Sequence, residues 1–195
     1  MQVKYKPCGD YQTNCYIVDD KFIIDPGVNA TSWVMKNIKN PKAILLTHAH
    51  FDHVWSVAEL KEKLKIPVYI HKDDEFMLSE DVFGMGVPKV KADVLIGEDK
   101  TITIDNIDIK FRHFPGHTPG CMTIEIDEFM FSGDFIFNGS IGRVDFPYSN
   151  PSEMKKSLQK FLKINYDKII YPGHGNHTTI KKEQESIKNY WLNVL

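Results

Sequence analysis

The segment His48-Ala49-His50-Phe51-Asp52-His53 puts three imidazoles and a carboxylate within six residues. Neutral imidazole suits zinc and other first-row divalent ions, and a carboxylate adds negative charge that helps to hold a second ion. A turn leaving a strand does not easily aim all four groups at one ion. Two on one ion and two on a neighbour is easier geometry. Nitrogen and oxygen donors without thiolate point to a catalytic rather than a structural site. Further candidates stand at Gly116-His117, Gly133-Asp134 and Gly173-His174. Adding His117 to one pair and His174 to the other gives three ligands per ion, if Asp134 bridges. Two ions about 3.5–4 Å apart can share and activate one water.

A lone histidine is usually a packed or surface residue. Packing alone does not explain four candidate positions that each follow an apolar run. These runs are Ala43 to Thr47, Ile109 to Phe114, Phe129 to Phe131 and Ile169 to Tyr171. Loops at strand ends are where sites gather in α/β folds. His71, His113 and His177 lack this context and read as structural or surface residues. His113, four before His117, is also placed to support a ligand.

The elements that must carry these groups alternate along the chain. Strands are expected over Gln2 to Tyr5, Asn14 to Val18 and Phe22 to Ile24, with a tight turn at Asp19-Asp20-Lys21. Asp25-Pro26-Gly27 stops the third. Thr31 to Lys39 reads as a helix, Ala43 to Thr47 as a strand covered on both faces, and Val54 to Leu64 as one amphipathic helix. Val68 to His71 is a further strand. Gly84 to Val94 has no period and reads as a loop over a site. The wider stretch Val82 to Val94, with Phe83, Met85 and Val87, reads as an apolar lid or a self-association patch. Strands follow at Thr101 to Ile104, Ile107 to Phe114, Cys121 to Ile126 and Phe129 to Phe131. Asn150-Pro151-Ser152-Glu153 starts a helix that runs to about Leu162. Lys168 to Tyr171 is a strand and Thr179 to Leu192 the final helix. Two such halves can stack their mixed β-sheets face to face with helices outside. That stacking gives an α/β protein, a four-layer αββα sandwich, expected as one domain over residues 1–195; pattern alone makes it one of several α/β arrangements.

Composition excludes several classes. Residues are 42% hydrophobic and 26% charged with a formal net charge of −2, so nothing favours a nucleic-acid partner. No apolar run reaches the roughly 18 residues needed to span a bilayer. The N-terminus lacks the apolar core of a signal peptide. Three cysteines, Cys8, Cys15 and Cys121, show no C-x-x-C pairing, and the expected compartment is the reducing cytoplasm. Cys15 lies in an apolar run and reads as a buried small hydrophobe.

Together the motifs resemble the metallo-β-lactamase-fold superfamily, specifically its glyoxalase II-like (hydroxyacylglutathione hydrolase-like) branch. Thr47-His48-Ala49-His50-Phe51-Asp52-His53 matches T-H-x-H-x-D-H, and Gly116-His117-Thr118-Pro119-Gly120 matches G-H-T-P-G. Ser132-Gly133-Asp134 and Pro172-Gly173-His174-Gly175 match the later ligand loops, and Asp25-Pro26-Gly27 an early aspartate motif. The resemblance implies His48, His50 and His117 on one metal and Asp52, His53 and His174 on the other. It implies a bridging Asp134, with Asp25 behind the metals orienting a ligand histidine. Asp52 and Asp134 would be the catalytic carboxylates, and Arg143 would lie near the substrate. The cofactor implied is two divalent ions, zinc first, with iron or manganese as alternatives. The reaction implied is hydrolysis of a small-molecule thioester.

Family glyoxalase II enzymes carry a C-terminal helical domain that binds glutathione, and this chain ends soon after His174. Two family tyrosine positions are Asp145 and Asn176 here. Weak glutathione recognition follows, because a glutathione carboxylate would meet fewer donors, and Asp145 would repel it unless Arg143 pairs with it. The alternative is a persulfide dioxygenase of the same fold. It is suggested by Gly142-Arg143-Val144-Asp145-Phe146 and would hold one iron on His48, His117 and Asp134. Near-neutral charge and short length disfavour a nuclease, the lack of room for a flavin domain a diiron electron-transfer protein, Asp52 and the missing export signal β-lactamase activity, and the complete ligand set a non-enzymatic binding module.

Overall fold

A computed structural model of the chain describes residues 1–195. Strands β1 (Val3–Cys8), β2 (Thr13–Val18) and β3 (Phe22–Ile24) form an antiparallel meander. Helix α1 (Thr31–Asn37) crosses to β4 (Ala43–Leu45), parallel to β3. Helices α2 (Phe51–Val54) and α3 (Val57–Leu64) lead to β5 (Val68–His71). A 3-10 turn (Lys72–Asp74), α4 (Glu75–Ser79) and an irregular stretch then precede β6 (Val94–Ile96). The first sheet runs in the order β1-β2-β3-β4-β5-β6.

The second half repeats the style. Strands β7 (Lys100–Ile104), β8 (Ile107–His113), β9 (Met122–Ile126) and β10 (Phe129–Gly133) form an antiparallel meander. A hairpin of β11 (Ile136–Phe137) and β12 (Ser140–Ile141) and helix α5 (Pro151–Phe161) lead to β13 (Ile169–Pro172), parallel to β10. Strand β14 (Thr178–Thr179) forms the edge. It is followed by α6 (Ile180–Ser186), a π turn (Ile187–Trp191) and α7 (Leu192–Val194). This sheet has the order β14-β13-β10-β9-β8-β7.

Strand alternation divides the apolar residues among three layers, since successive side chains point to opposite faces. Phe22, Ile24, Ala43 and Leu45 meet Phe111, Met122, Ile124 and Phe131 between the sheets. Their neighbours Ile23, Ile44, Val68 and Ile70 face Val34, Val57 and Leu60 on the helices of the first half. Met130 and Ile170 face Met154, Leu158, Phe161 and Ile180 on the other side. This is the αββα sandwich expected from the sequence. Two hairpin turns carry paired left-handed residues, Asp19-Asp20 and Asp105-Asn106; the second is the two-residue loop between Ile104 and Ile107, where type I′ geometry requires them. Asn150 caps α5 by accepting from Glu153 N at 3.1 Å, with Pro151 at the first helical position.

Two expectations need correction. Val54 to Leu64 is not one helix. The Ser56 N–H donates to Pro26 O at 3.0 Å and its hydroxyl to Gly27 O at 2.7 Å, which ties that residue to the Asp25 turn and separates α2 from α3. The strand read as Ala43 to Thr47 ends at Leu45, because the Thr47 N–H turns to Asp25 Oδ1 at 2.9 Å. The last helix runs as expected, from Ile180 to Val194, with a π turn at Ile187–Trp191 inside it. The elements over Lys72–Ser79, β6, β11, β12 and β14 are too short for periodicity to reveal. No helix is long and apolar enough to cross a membrane.

Candidate metal centre

The fold brings all seven candidate ligands to one end of the two sheets. His48, His50 and His117 each offer a ligand atom within 4.8 Å of the others, as do Asp52, His53 and His174. Asp134 lies between the groups. Its Oδ1 is 3.2 Å from His53 Nε2, and its Oδ2 is 3.6 Å from His117 Nε2 and 3.4 Å from His174 Nε2. Asp52 Oδ2 is 3.3 Å from His174 Nε2 and 3.5 Å from His53 Nε2. Four of these buried atoms have no hydrogen-bond partner: Nε2 of His48, His53 and His117, and Asp134 Oδ1. Buried polar atoms are rarely left so, and four converging on one point fit a divalent ion or a pair of them.

Four of the five rings, all but that of His50, are aimed from behind. Asp25 Oδ2 accepts from the Thr47 hydroxyl at 2.6 Å and faces His53 Nδ1 at 3.0 Å. The Thr47 hydroxyl oxygen also faces His48 Nδ1 at 3.1 Å. His117 Nδ1 meets Arg143 O at 2.8 Å, and His174 Nδ1 meets Tyr11 O at 3.0 Å. A proton held on Nδ1 by these acceptors leaves the Nε2 lone pair for a metal. Asp52 Oδ2 also accepts from the Thr13 hydroxyl at 2.6 Å.

Glycines at the strand ends let these parts approach. Gly133 has φ +50°, and a Cβ there would lie 2.2 Å from Thr47 Oγ1; a Cβ at Gly173 would lie 2.1 Å from Asp134 Oδ1. The His174 loop is clamped across the sandwich by Asn14, whose N–H donates to Gly173 O at 2.7 Å. The His117 loop rests on the start of α5, where Ser149 Oγ donates to His117 O at 2.8 Å.

The two groups differ electrostatically. Burial first, and the neighbouring His117 second, hold His50 down at about 3, so it is neutral at pH 7. Burial also pulls His174 down, but hydrogen bonds to Asp134 and Asp52 outweigh it and carry it to about 9. Burial raises Asp52, and His53 and His174 outweigh that, leaving it at about 2. Asp134 is likewise held well below the usual carboxylate range, His53 and His174 overcoming burial.

A cavity of about 770 Å³ opens onto these ligands. Its wall is Tyr11, Phe51, Phe83, Met85, Phe137, Phe146 and Pro147, with Arg143 as its cation. Phe83 and Met85 of the 82–94 stretch line this cavity, while Val87 packs into the helix-side core. Arg143 is paired by two nitrogens to Asp145, at 2.9 and 2.7 Å, and lies 4.1 Å from the Phe146 ring centre.

The sequence profile of the metallo-beta-lactamase superfamily matches residues 8–174. The chain belongs to that superfamily. Among superfamily relatives, the hydroxyacylglutathione hydrolase GloC of Haemophilus influenzae is 34% identical, with 99% of each chain covered. The probable metallo-hydrolase YqgX of Bacillus subtilis is 33% identical over 99% of this chain and 98% of its own. Among solved structures, BLEG-1 B3 metallo-beta-lactamase superposes with a TM-score of 0.88 at 33% identity, over 98% of this chain and 99% of that one. TTHA1623 in a di-iron-bound form gives 0.79 at 34%, over 94% and 98%. ETHE1 from Myxococcus xanthus, at 22% identity and a TM-score of 0.77, shares the fold.

In this superfamily member, sequence reasoning missed several groups that reach the centre or its supports. Thr13 and the carbonyls of Tyr11 and Arg143 contact candidate ligands, and Asp74 accepts hydrogen bonds from two candidate ligand loops. Backbone carbonyls carry no residue signature. Asp74 stands in the run Lys72-Asp73-Asp74-Glu75, which looks like solvated charge. His113 does not touch the His117 ring: its Nε2 meets Pro119 O in the same loop at 2.8 Å, and its ring stacks on His71 with centres 3.9 Å apart.

Proposed function

We propose that this chain is a binuclear metallohydrolase of small-thiol acyl thioesters. In this reading His48, His50 and His117 hold one ion, Asp52, His53 and His174 hold the other, and Asp134 bridges them. Zinc is the first candidate, with iron or manganese as alternatives. The observation that carries the reading is the pair of complete ligand triads around one carboxylate, with four donor atoms unpaired. Two divalent ions, when bound, bring the pKa of a shared water near neutral and polarise an acyl carbonyl.

The chain's own residues then have definite tasks. Asp52 and Asp134 are ionised at neutral pH and present oxygen without shedding a proton. Asp25 and Thr47 keep the His53 and His48 rings turned with Nε2 inward. A thiol departs as thiolate and needs no strong general acid, which suits a wall made mostly of apolar side chains. Arg143 is the rim's cation, and Asp145 already pairs with it, so a glutathione carboxylate meets little free positive charge. Similarity to GloC supports the thioester reading, and the paired Arg143 supports weak glutathione recognition.

The test is metal analysis of the purified chain together with turnover of S-lactoylglutathione, neutral acyl thioesters and a β-lactam. Two ions per chain with thioester hydrolysis is the expected result. One iron with oxygen uptake, or β-lactam turnover ahead of every thioester, sinks the reading. Tight, selective saturation by the glutathione thioester sinks the weak-recognition part alone.

A further inference from the structure

We propose that Asp74 is the positioning residue of the His48–His50–His117 site, setting the geometry of that ion without touching it. The inference rests on the ligand reading above. Asp74 is fully buried at the end of the turn after β5. Its Oδ2 accepts from Ala49 N at 3.2 Å and from the Thr118 hydroxyl at 2.7 Å; its Oδ1 accepts from Gly120 N at 2.5 Å. Ala49 separates His48 from His50, and Thr118 follows His117. One carboxylate thus joins the two loops that carry all three ligands of one ion.

The other triad is held by different groups: Asp25 behind His53, Tyr11 O behind His174 and the Thr13 hydroxyl on Asp52. His50 depends most on Asp74. Of the five candidate ligand histidines it is the one whose ring makes no hydrogen bond, so its direction comes from the backbone on either side. A carboxylate suits this place because it only accepts, and three donors converge there. An asparagine would turn an N–H₂ toward at least one donor. An apolar residue would leave the Ala49 and Gly120 amides buried and unpaired. Asp74 has no cation within salt-bridge distance, so its burial is supported by neutral donors alone. The approach of Gly120 is close enough that a Cβ there would lie 2.8 Å from the Asp74 carboxylate.

The test is a titration of the metal-free full chain with zinc and with cobalt(II) against a chromogenic chelator. It compares wild type, Asp74→Asn, Thr118→Val, Gly120→Ala and the mirror variant Thr13→Val. Wild type should bind two ions. Asp74→Asn should weaken one of them by about 10–100-fold, as loss of a group that supports a ligand does, and leave the other within about twofold. Thr118→Val and Gly120→Ala should weaken the same ion to a smaller degree, with its cobalt spectrum altered. Thr13→Val should weaken the other ion. If Asp74→Asn fails to fold, Thr118→Val decides, because it removes one hydroxyl and keeps the volume. Wild-type affinity at both sites in these variants overturns the proposal. So does an equal loss at both sites that merely tracks a lower melting temperature of the metal-free chain. A wild-type chain that takes up fewer than two ions overturns the ligand reading beneath it.

Discussion

Glu125 on β9 and Asp134 at the end of the adjoining β10 are both buried carboxylates of the second sheet, and their surroundings differ in kind. Glu125 is complete within the chain. It receives Arg112 Nε at 2.7 Å, Lys168 Nζ at 2.8 Å and the Tyr166 hydroxyl at 2.8 Å. Asp134 is incomplete: its Oδ1 and three facing imidazole nitrogens have no hydrogen bond. Burying charge is costly unless it is paired. The first cluster offsets that cost internally and behaves as structure. The second leaves it open to something from outside.

The contrast breaks most easily at the metal. Stripping ions from the loaded protein should abolish hydrolysis and lower the melting temperature. An ion present at about 1,000 times its Kd stabilises by about 4 kcal/mol. Scanning calorimetry with and without chelator checks this, and an unchanged melting temperature would refute it.

The opposite result is expected for Glu125→Ala. Arg112 and Lys168 lose their partner, at a cost of about 3 kcal/mol, the low end for a broken buried pair because both cations are partly exposed. Urea unfolding should show the loss, while metal stoichiometry and kcat per folded molecule stay as in wild type.

Asp25→Asn should do the reverse, reducing metal affinity by about 10–100-fold. Chelator competition measures it. A wild-type affinity would show that the rings at His48 and His53 are aimed without Asp25.

A smaller effect follows from pH. Burial raises the Glu125 carboxyl, and hydrogen bonds from Lys168 and Tyr166 outweigh it, so its folded pKa lies below the ordinary value of about 4.3. A depressed pKa contributes stability above the unfolded value that is lost as pH falls through the folded one. Urea midpoints of the metal-free chain between about pH 6 and 3 should fall more steeply in wild type than in Glu125→Gln. Parallel curves would remove Glu125 from the acid limb.

The smallest change is expected at the exposed rim. Asp145→Asn should leave stability almost unchanged, since both side chains of the Arg143 pair are 64% exposed. It should lower KM for an anionic thioester by roughly threefold. Steady-state kinetics with charged and neutral thioesters separates this from a general effect.

Much of this architecture was legible in the order of residues. Alternation in Phe22–Ile24 and Ala43–Leu45 assigns inner and outer faces, because strand side chains have period two. The residues that reach the centre could be read because imidazole and carboxylate recur just past apolar runs, beside glycines that permit close approach. The helix boundaries could not, because Ser56 breaks α2 from α3 through partners at Pro26 and Gly27, far along the chain.

The sequence by itself determined the α/β class and the kind of chemistry offered, since periodicity and residue type are local properties; its motifs taken together, not its periodicity, narrowed that class to this layered fold. Tertiary structure alone decided how each ring is aimed, that Phe83 and Met85 line the cavity, and that Asp74 joins two ligand loops while Glu125 closes on its own cations. Those outcomes depend on partners tens of residues away, and on backbone amides and carbonyls that every residue carries alike.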